Sequence, residues 1–374
     1  MRASNVVFAR QRGFSLIELM VGLVIGLLTI LVITQVMTLA EGKRRAVSMG
    51  SDAQVNGALA MFAMQRDIAQ AGYGASADPD ALGCTVDYQF GSDTSKKASF
   101  TLAPVVIKAP TAASAPVQIS ILQASTTNFS APLLLTGAAL QADNHFTVAS
   151  TLGATAGNVM IAVPATLTSS DCALFSVTSD TASAATTLSN TNLPHVLGTG
   201  ASQWNQSNAV PAGGFASSSY LLNMGAMVYR TYGVSSTTGN LQVTELSPTD
   251  GTSTTQDLYP QIVNLMALYG KDKNNDGVVD AYESTPPGSN AEWKQVLAIR
   301  IALVARSNQY EKDIVTSAAP LWDVGAKPVI SGTSTCHGSS SCLSLDVSGV
   351  TDWQHYRYKV YDTIVPLRNM LWNN

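Results

Sequence analysis

Oxygen-bearing side chains recur at alternating positions in Asp272-Lys-Asn-Asn-Asp-Gly-Val-Val-Asp-Ala-Tyr-Glu283. Counted from Asp272, they are Asp272, Asn274, Asp276, Asp280 and Glu283, at positions one, three, five, nine and twelve, with Gly277 at position six. That spacing suits Ca²⁺, which takes roughly six to eight hard oxygens at about 2.3–2.6 Å. Alternate residues of a tight loop converge on one point, glycine permits the sharp turn, and a terminal Glu can bind through both oxygens. The backbone carbonyl of Val278 supplies position seven. A calcium ion is therefore expected here, as a structural ion of weaker affinity than in cytosolic sensors, stabilising the fold by mass action.

The flanks set a limit. Ser284-Thr-Pro-Pro287 forbids an immediate exiting helix, so the motif reads as an isolated EF-hand-like loop in an extracytoplasmic domain. Its apolar entry, 262–269, is compatible with a short helix or a strand. An Asn/Asp/Gly turn of no affinity is the plain alternative.

The second constellation is Arg10-Gln-Arg-Gly-Phe-Ser-Leu-Ile-Glu-Leu19. A basic leader, 1–13, ends in Gly13; Phe14 follows, and Glu18 is the one acid in an apolar run that reaches Ala40. As a helix, 14–40 spans about 40 Å, more than the ~30 Å hydrocarbon core, and is expected to cross a membrane. A carboxylate in such a segment is costly without a partner. Cleavage after Gly13 would create one, because the new α-amine of Phe14 is a cation that a neighbouring subunit's Glu18 can pair with. Gly22 and Gly26 have the spacing that lets helix backbones approach closely. An ordinary secretory signal has a shorter apolar core followed by a small-residue cleavage site, whereas this run ends in Glu41-Gly-Lys-Arg-Arg45. Basic residues flank both ends, so the positive-inside count does not orient the segment.

This N-terminus resembles the class III signal of type IV prepilins and pseudopilins, in which a dedicated peptidase cuts after the glycine and methylates the new amine. The resemblance implies that Gly13 and Phe14 are the processing site and Glu18 the assembly residue. It also implies a type IV pilin fold of α+β class, with a long helix packed on an antiparallel sheet domain.

The remainder of the 374-residue chain is long enough to bury a real core. Only 12% of residues are charged and the net charge is -4, which gives no reason to expect nucleic acid. Cys84, Cys172, Cys336 and Cys342 form an even set without metal-type spacing. In a periplasmic or surface domain they are expected to be disulfides. Cys336 and Cys342 close a tight loop, which favours local pairing and leaves Cys84 with Cys172, although all three pairings remain formally open.

After the membrane span, 41–74 continues without proline as an amphipathic helix: Val55, Leu59 and Phe62 form one apolar row and Met61, Met64 and Ile68 a second. Gly72-Tyr-Gly74 supplies the stop. From 75 to 374 short apolar runs alternate with Gly, Pro, Asn and Ser, the pattern of strands and loops. Expected strands are 101–107, 117–122, 159–163, 173–177, 221–232, 241–246, 296–305 and 356–360. A hairpin turn is expected at Thr237-Thr-Gly-Asn240. Arg300 interrupts an otherwise doubly covered strand and is expected to be exposed or locally paired. The Ser/Thr/Ala-rich stretches 179–192 and 201–219 read as long, poorly ordered loops.

Later pieces resemble the PilW group of minor pilins: Gln65-Arg-Asp-Ile-Ala-Gln-Ala-Gly-Tyr73, Asp171-Cys-Ala-Leu-Phe-Ser-Val177, Val304-Ala-Arg-Ser307 and Thr363-Ile-Val-Pro-Leu-Arg-Asn369. The middle, about 76–219, carries no such likeness. The resemblance implies a subunit that helps initiate the pilus near its tip. Its implied partners are other minor pilins, the major pilin, the prepilin peptidase and the inner membrane, with no small-molecule substrate. A minor pseudopilin of type II secretion shares the anchor and fold, and a tip adhesin would use the Ser/Thr loops as its contact surface. No enzyme is expected. Neither GxSxG, a P-loop nor HExxH occurs, and His145, His195, His337 and His355 lack ligand spacing.

Overall fold

A computed structural model describes residues 13–93, 96–109, 115–125, 131–167, 171–326 and 328–371; of the leader 1–13, all but Gly13 lies outside the described residues. The chain is α+β, with one long helix, Leu16–Gln70, followed by a mostly antiparallel β domain. By internal contacts it divides into 1–51 and 52–374.

In the first unit, Leu16–Gly42 is long and apolar enough to cross a membrane, and its side chains are exposed. Its hydroxyls are satisfied within the helix: Thr29 Oγ1 donates to the Ile25 carbonyl at 2.7 Å and Thr34 Oγ1 to that of Ile30 at 3.0 Å. That is the condition for placing them among lipid, where no water supplies a partner.

In the second unit the helix buries Ala60, Met61, Met64 and Ile68 in the main core, while Val55, Leu59 and Phe62 stay 53%, 48% and 64% exposed. Of the two rows read from the sequence, only the second packs inward. Gly57 lets the Tyr361 ring lie against the helix, and Tyr361 Oη donates to the Gln54 carbonyl at 3.1 Å. The helix stops where Gly72 takes a left-handed φ of +82° and its N–H bonds the Leu122 carbonyl at 2.8 Å. Asn369 Nδ2 caps the last carbonyls, Gln70 at 3.2 Å and Ala71 at 2.9 Å.

Three larger sheets follow. One runs Pro328–Val329, Ala281–Glu283, Ile262–Lys271, Val296–Arg306, Tyr358–Pro366. The apolar entry to the acidic loop is therefore a strand, buried along its whole length. Such continuous burial fits a segment in which Asn264 is the one polar residue among 262–269. The second sheet, fully antiparallel, runs Ser253–Tyr259, Leu241–Leu246, Val228–Val234, Gln118–Gln123, Val105–Lys108. The third runs Lys97–Thr101, Thr85–Gln89, Cys172–Ser176, Val159–Val163, Tyr220–Gly225, Leu133–Leu134. It is covered on both faces, with Ile161, Val163 and Leu174 in one cluster and Met160, Ala162 and Phe175 in another.

Some expectations need correcting. The run 221–232 is two strands, Tyr220–Gly225 and Val228–Val234, because Gly225 turns the chain at φ +59° and carries it from one sheet to another. The run 101–107 breaks likewise at 102–104. The stretch 201–219 is not a loose loop: it holds the 3₁₀ turns Gly200–Trp204 and Ser207–Ala209 and buries Trp204 and Phe215. In 179–192, Ser and Thr hydroxyls bond one another and the backbone, and Asn192 Nδ2 donates to the carbonyls of Ala184, Ala185 and Thr187 at 3.1, 3.0 and 2.8 Å. Short polar side chains of this kind make turns by replacing backbone partners.

Candidate functional site

The helix start is built by two residues. Glu18 N–H donates to Ser15 Oγ at 3.2 Å, and Ser15 N–H donates to Glu18 Oε2 at 3.1 Å. This reciprocal pair is a capping box, which satisfies two orphan donors and puts a carboxylate at the positive end of the helix. The Ser15-x-x-Glu18 spacing is the sequence mark of such a box, a local role for Glu18 beside that of partner for a neighbour's amine. Gly13 and Phe14 lie just before the helix, fully in the open. Glu18 thus holds a local backbone partner, the Ser15 N–H.

The acidic loop is the tip of the hairpin between Ile262–Lys271 and Ala281–Glu283. Its first half folds around Asp272, whose carboxylate accepts from the N–H groups of Asp276 at 3.2 Å and Gly277 at 2.7 Å. Asn274 Oδ1 accepts from Asp276 N–H at 3.0 Å, and Asp276 Oδ1 from Val278 N–H at 2.8 Å. Asn275 and Gly277 adopt left-handed φ of +59° and +84°, which the tight reversal requires. Burial works upward on the Asp272 pKa, but the N–H donors aimed at it prevail and hold its carboxyl below the usual value. Asp280 Oδ2 accepts from Lys273 N–H at 2.8 Å. The first six positions thus have the donor types and turn that a hard divalent ion needs.

Position twelve differs. Glu283 faces two ammonium groups, Lys271 Nζ at 2.9 Å and Lys273 Nζ at 2.5 Å. Burial acts to raise its pKa, but these cations outweigh it and leave its carboxyl below the usual value. A cation at this loop would have to compete with both lysines for the Glu283 carboxylate. Among the described residues, the one trio of His, Cys, Asp or Glu ligand atoms within 4.8 Å is Asp323, Cys336 and Cys342, whose sulfurs are joined to each other. The structure pairs Cys84 with Cys172 and Cys336 with Cys342.

Arg300 is paired locally: Nη2 donates to the Asp323 carbonyl at 2.7 Å and Asp362 Oδ2 at 3.1 Å, and the guanidinium lies over Tyr282 and Trp322. The long helix also carries a buried acid, Asp67, which its neighbours in sequence do not mark as buried. Asp67 accepts from Arg230 Nη1 at 3.1 Å and Tyr232 Oη at 2.6 Å, tying helix to sheet.

The four histidines do not converge. His337 is exposed, His355 stacks on Tyr310 at 4.7 Å, and His145 and His195 lie on or beside the two-stranded pair. Burial lowers the His195 pKa from 6.5 to about 4. As pH falls, the unfolded chain takes up this proton first, so the contribution is full above about 6.5 and lost progressively toward about 4. At about 1.4 kcal/mol per pH unit, the loss approaches 3 kcal/mol. Melting temperature measured across this range should fall less steeply in His195→Phe than in the parent; equal slopes would contradict the assignment.

Two family models match. Residues 229–369 match the family described as Type IV Pilus-assembly protein W, and residues 8–34 the prokaryotic N-terminal methylation motif. No curated protein and no solved structure matches the chain. The first match covers the hairpin with the acidic loop and the strands Val296–Arg306 and Tyr358–Pro366; the second covers Gly13, Phe14 and the apolar helix start.

Proposed function

We propose that this chain, a PilW-type minor pilin anchored by its N-terminal helix, takes part in initiating type IV pilus assembly with other minor pilins near the fibre tip. A pilin is a structural subunit, and toward the prepilin peptidase it is a substrate. After cleavage behind Gly13 and methylation of the Phe14 amine, the cation of one subunit replaces the Ser15 N–H as partner of a neighbour's Glu18. The observation that carries the reading is the capping box at Glu18 on a helix whose apolar residues are exposed. An acid held by a single exposed backbone donor can be exchanged for a stronger charged partner. The exposed row Val55, Leu59 and Phe62 offers a further apolar face to adjoining subunits.

Initiation and elongation are separable. With the gene under graded induction, the number of fibres per cell should rise with expression while fibre length stays constant. Fibre length tracking expression, at constant number, would contradict initiation.

The acidic loop is proposed to hold Ca²⁺ through Asp272, Asn274, Asp276, the Val278 carbonyl, Asp280 and Glu283. The ion would supply charge neutralisation to a carboxylate cluster at a hairpin tip, and so stability. At a calcium concentration about a hundredfold above Kd, mass action adds about 2.7 kcal/mol, which reads as a rise of several degrees in melting temperature. Asp276→Ala should abolish the calcium-dependent rise in the full chain while leaving the chelated protein's melting temperature nearly unchanged. An undiminished rise in the variant would place the ion elsewhere.

A further inference from the structure

The outermost strand of an open sheet carries backbone groups without a ladder partner, and such an edge recruits another chain unless it is blunted. Most edges here are. Leu133–Leu134 and Pro328–Val329 are two residues long, Lys97–Thr101 and Val105–Lys108 carry a lysine at one end, and Tyr358–Pro366 carries Lys359 and ends in proline. Leu321–Gly325 is interrupted by a bulge, and its Asp323 carbonyl is taken by Arg300. The strand Ser253–Tyr259 differs. Among the described residues it is the longest outermost strand without Lys, Arg or Pro, and its side chains from Ser253 to Leu258 are exposed. It pairs regularly with Leu241–Leu246 from Ser253 to Asp257, and the register shifts only at Leu258.

Ser247 N–H donates to the Thr252 carbonyl at 2.8 Å. Bonded and non-bonded pairs alternate along an antiparallel ladder. Thr254 and Gln256 therefore bond inward, while Ser253, Thr255 and Asp257 turn their N–H and C=O groups to the open edge. Side-chain contacts agree, because the closer, non-bonded pairs are the ones that touch: the Thr244 and Thr255 hydroxyls lie 2.8 Å apart, and Gln242 Nε2 donates to Asp257 Oδ1 at 2.6 Å. On this face Ser120, Thr231, Thr244 and Thr255 stand in register across four strands, a row of hydroxyls that stops at the edge. Asp257 is the one charge on the strand. Its carboxylate accepts from two neutral amides, those of Asn240 and Gln242, and neither neutralises it. From Thr231 to Gly270 the chain holds three acids, Glu245, Asp250 and Asp257, and no Lys or Arg.

We infer that this edge is a docking strand for an extended segment of another protein, which adds antiparallel to it with a Lys or Arg opposite Asp257. Backbone bonds to Ser253, Thr255 and Asp257 supply the attachment, and the cation facing Asp257 supplies the selectivity. A second copy of this chain fits less well. Antiparallel self-pairing about Gln256 sets the two Asp257 carboxylates on one face, diagonal to each other, with no cation between them. The inference is independent of the Glu18 pairing and of the calcium loop.

Hydrogen–deuterium exchange of the full chain in detergent, read by mass spectrometry, tests it with two capped peptides, Thr-Lys-Val-Thr-Val-Thr-Gln and the same sequence with Glu for Lys. At about 2 mM the Lys peptide should slow exchange in 253–259 by about threefold or more, and the Glu peptide should not. Thr255→Pro removes an outward N–H that the inner ladder does not use, a change that edge strands accept, and should abolish the slowing. Asp257→Lys should reverse the preference between the peptides, and decides alone if Thr255→Pro folds poorly. No slowing by the Lys peptide, equal slowing by both peptides, slowing that survives Thr255→Pro, or an unchanged preference in Asp257→Lys would overturn the inference. Slowing that appears without peptide as the protein concentration rises would give the edge to a second copy, and would overturn it too.

Discussion

A chain in which Cys84 and Cys172 are both serine is expected to unfold with about 4–5 kcal/mol less stability, whereas replacing Cys336 and Cys342 should cost only about 2 kcal/mol. The two bonds close loops of very different length, with sequence separations of 88 and 6. A cross-link removes more freedom from the unfolded chain the longer the loop it closes. The long-range bond also sits beside the one parallel pairing of the six-stranded sheet, where Val86 and Asp87 meet Cys172 and Ala173 over just two residues. That ladder is too short to hold the Thr85–Gln89 strand in register unaided, and both sulfurs are buried. Denaturant midpoints of the two double variants and the parent give the comparison. Equal losses would mean that the bonds act through local packing.

Glu18→Ala is expected to leave cleavage after Gly13 largely intact and to reduce incorporation into pili by an order of magnitude or more. Loss of the capping box costs about 1 kcal/mol at one exposed helix end, too little to unfold the protein or hide the cleavage site. Loss of an ion pair placed among apolar helices is larger, because it strands the neighbour's amine away from water. Cleaved subunit in the membrane fraction and subunit in sheared fibres, both quantified by immunoblot, separate the two effects. Glu18→Gln keeps a polar group and removes the charge, so it should fail nearly as badly as alanine; wild-type incorporation of either variant would reject the pairing.

Much of the fold could be read where burial is two-sided. The strands Val159–Val163 and Leu241–Leu246 fall where the expected runs end, and Val296–Arg306 extends its run by one residue, because apolar runs ended by turn residues leave few alternatives. The helix was readable as a helix, but not which row packs. Val55-Leu59-Phe62 and Met61-Met64-Ile68 are equally periodic, and the choice is made by sheets formed from residues far along the chain. The strand Ser253–Tyr259 is not legible because it is an edge strand with nearly every side chain exposed, so no apolar alternation marks it. Trp204 and Phe215 are hard to read for the opposite reason, as isolated aromatics in Ser/Thr/Ala text. Their partners Phe90, Tyr88 and Phe146 lie more than fifty residues away. A single large aromatic in a polar stretch was the available signal. At the acidic loop the donor spacing was legible, but not the lysine pair on Glu283, because Lys271 and Lys273 read as ordinary solvated charges until the hairpin brings them to it.

Whether this chain is a pilus subunit is decided by counting surface pili in a strain deleted for its gene, with secretion of type II substrates assayed in the same cultures. The expected result is loss of pili with secretion unchanged, and restoration of pili by the wild-type gene. Normal pili together with lost secretion would contradict the claim and move the chain to the pseudopilins.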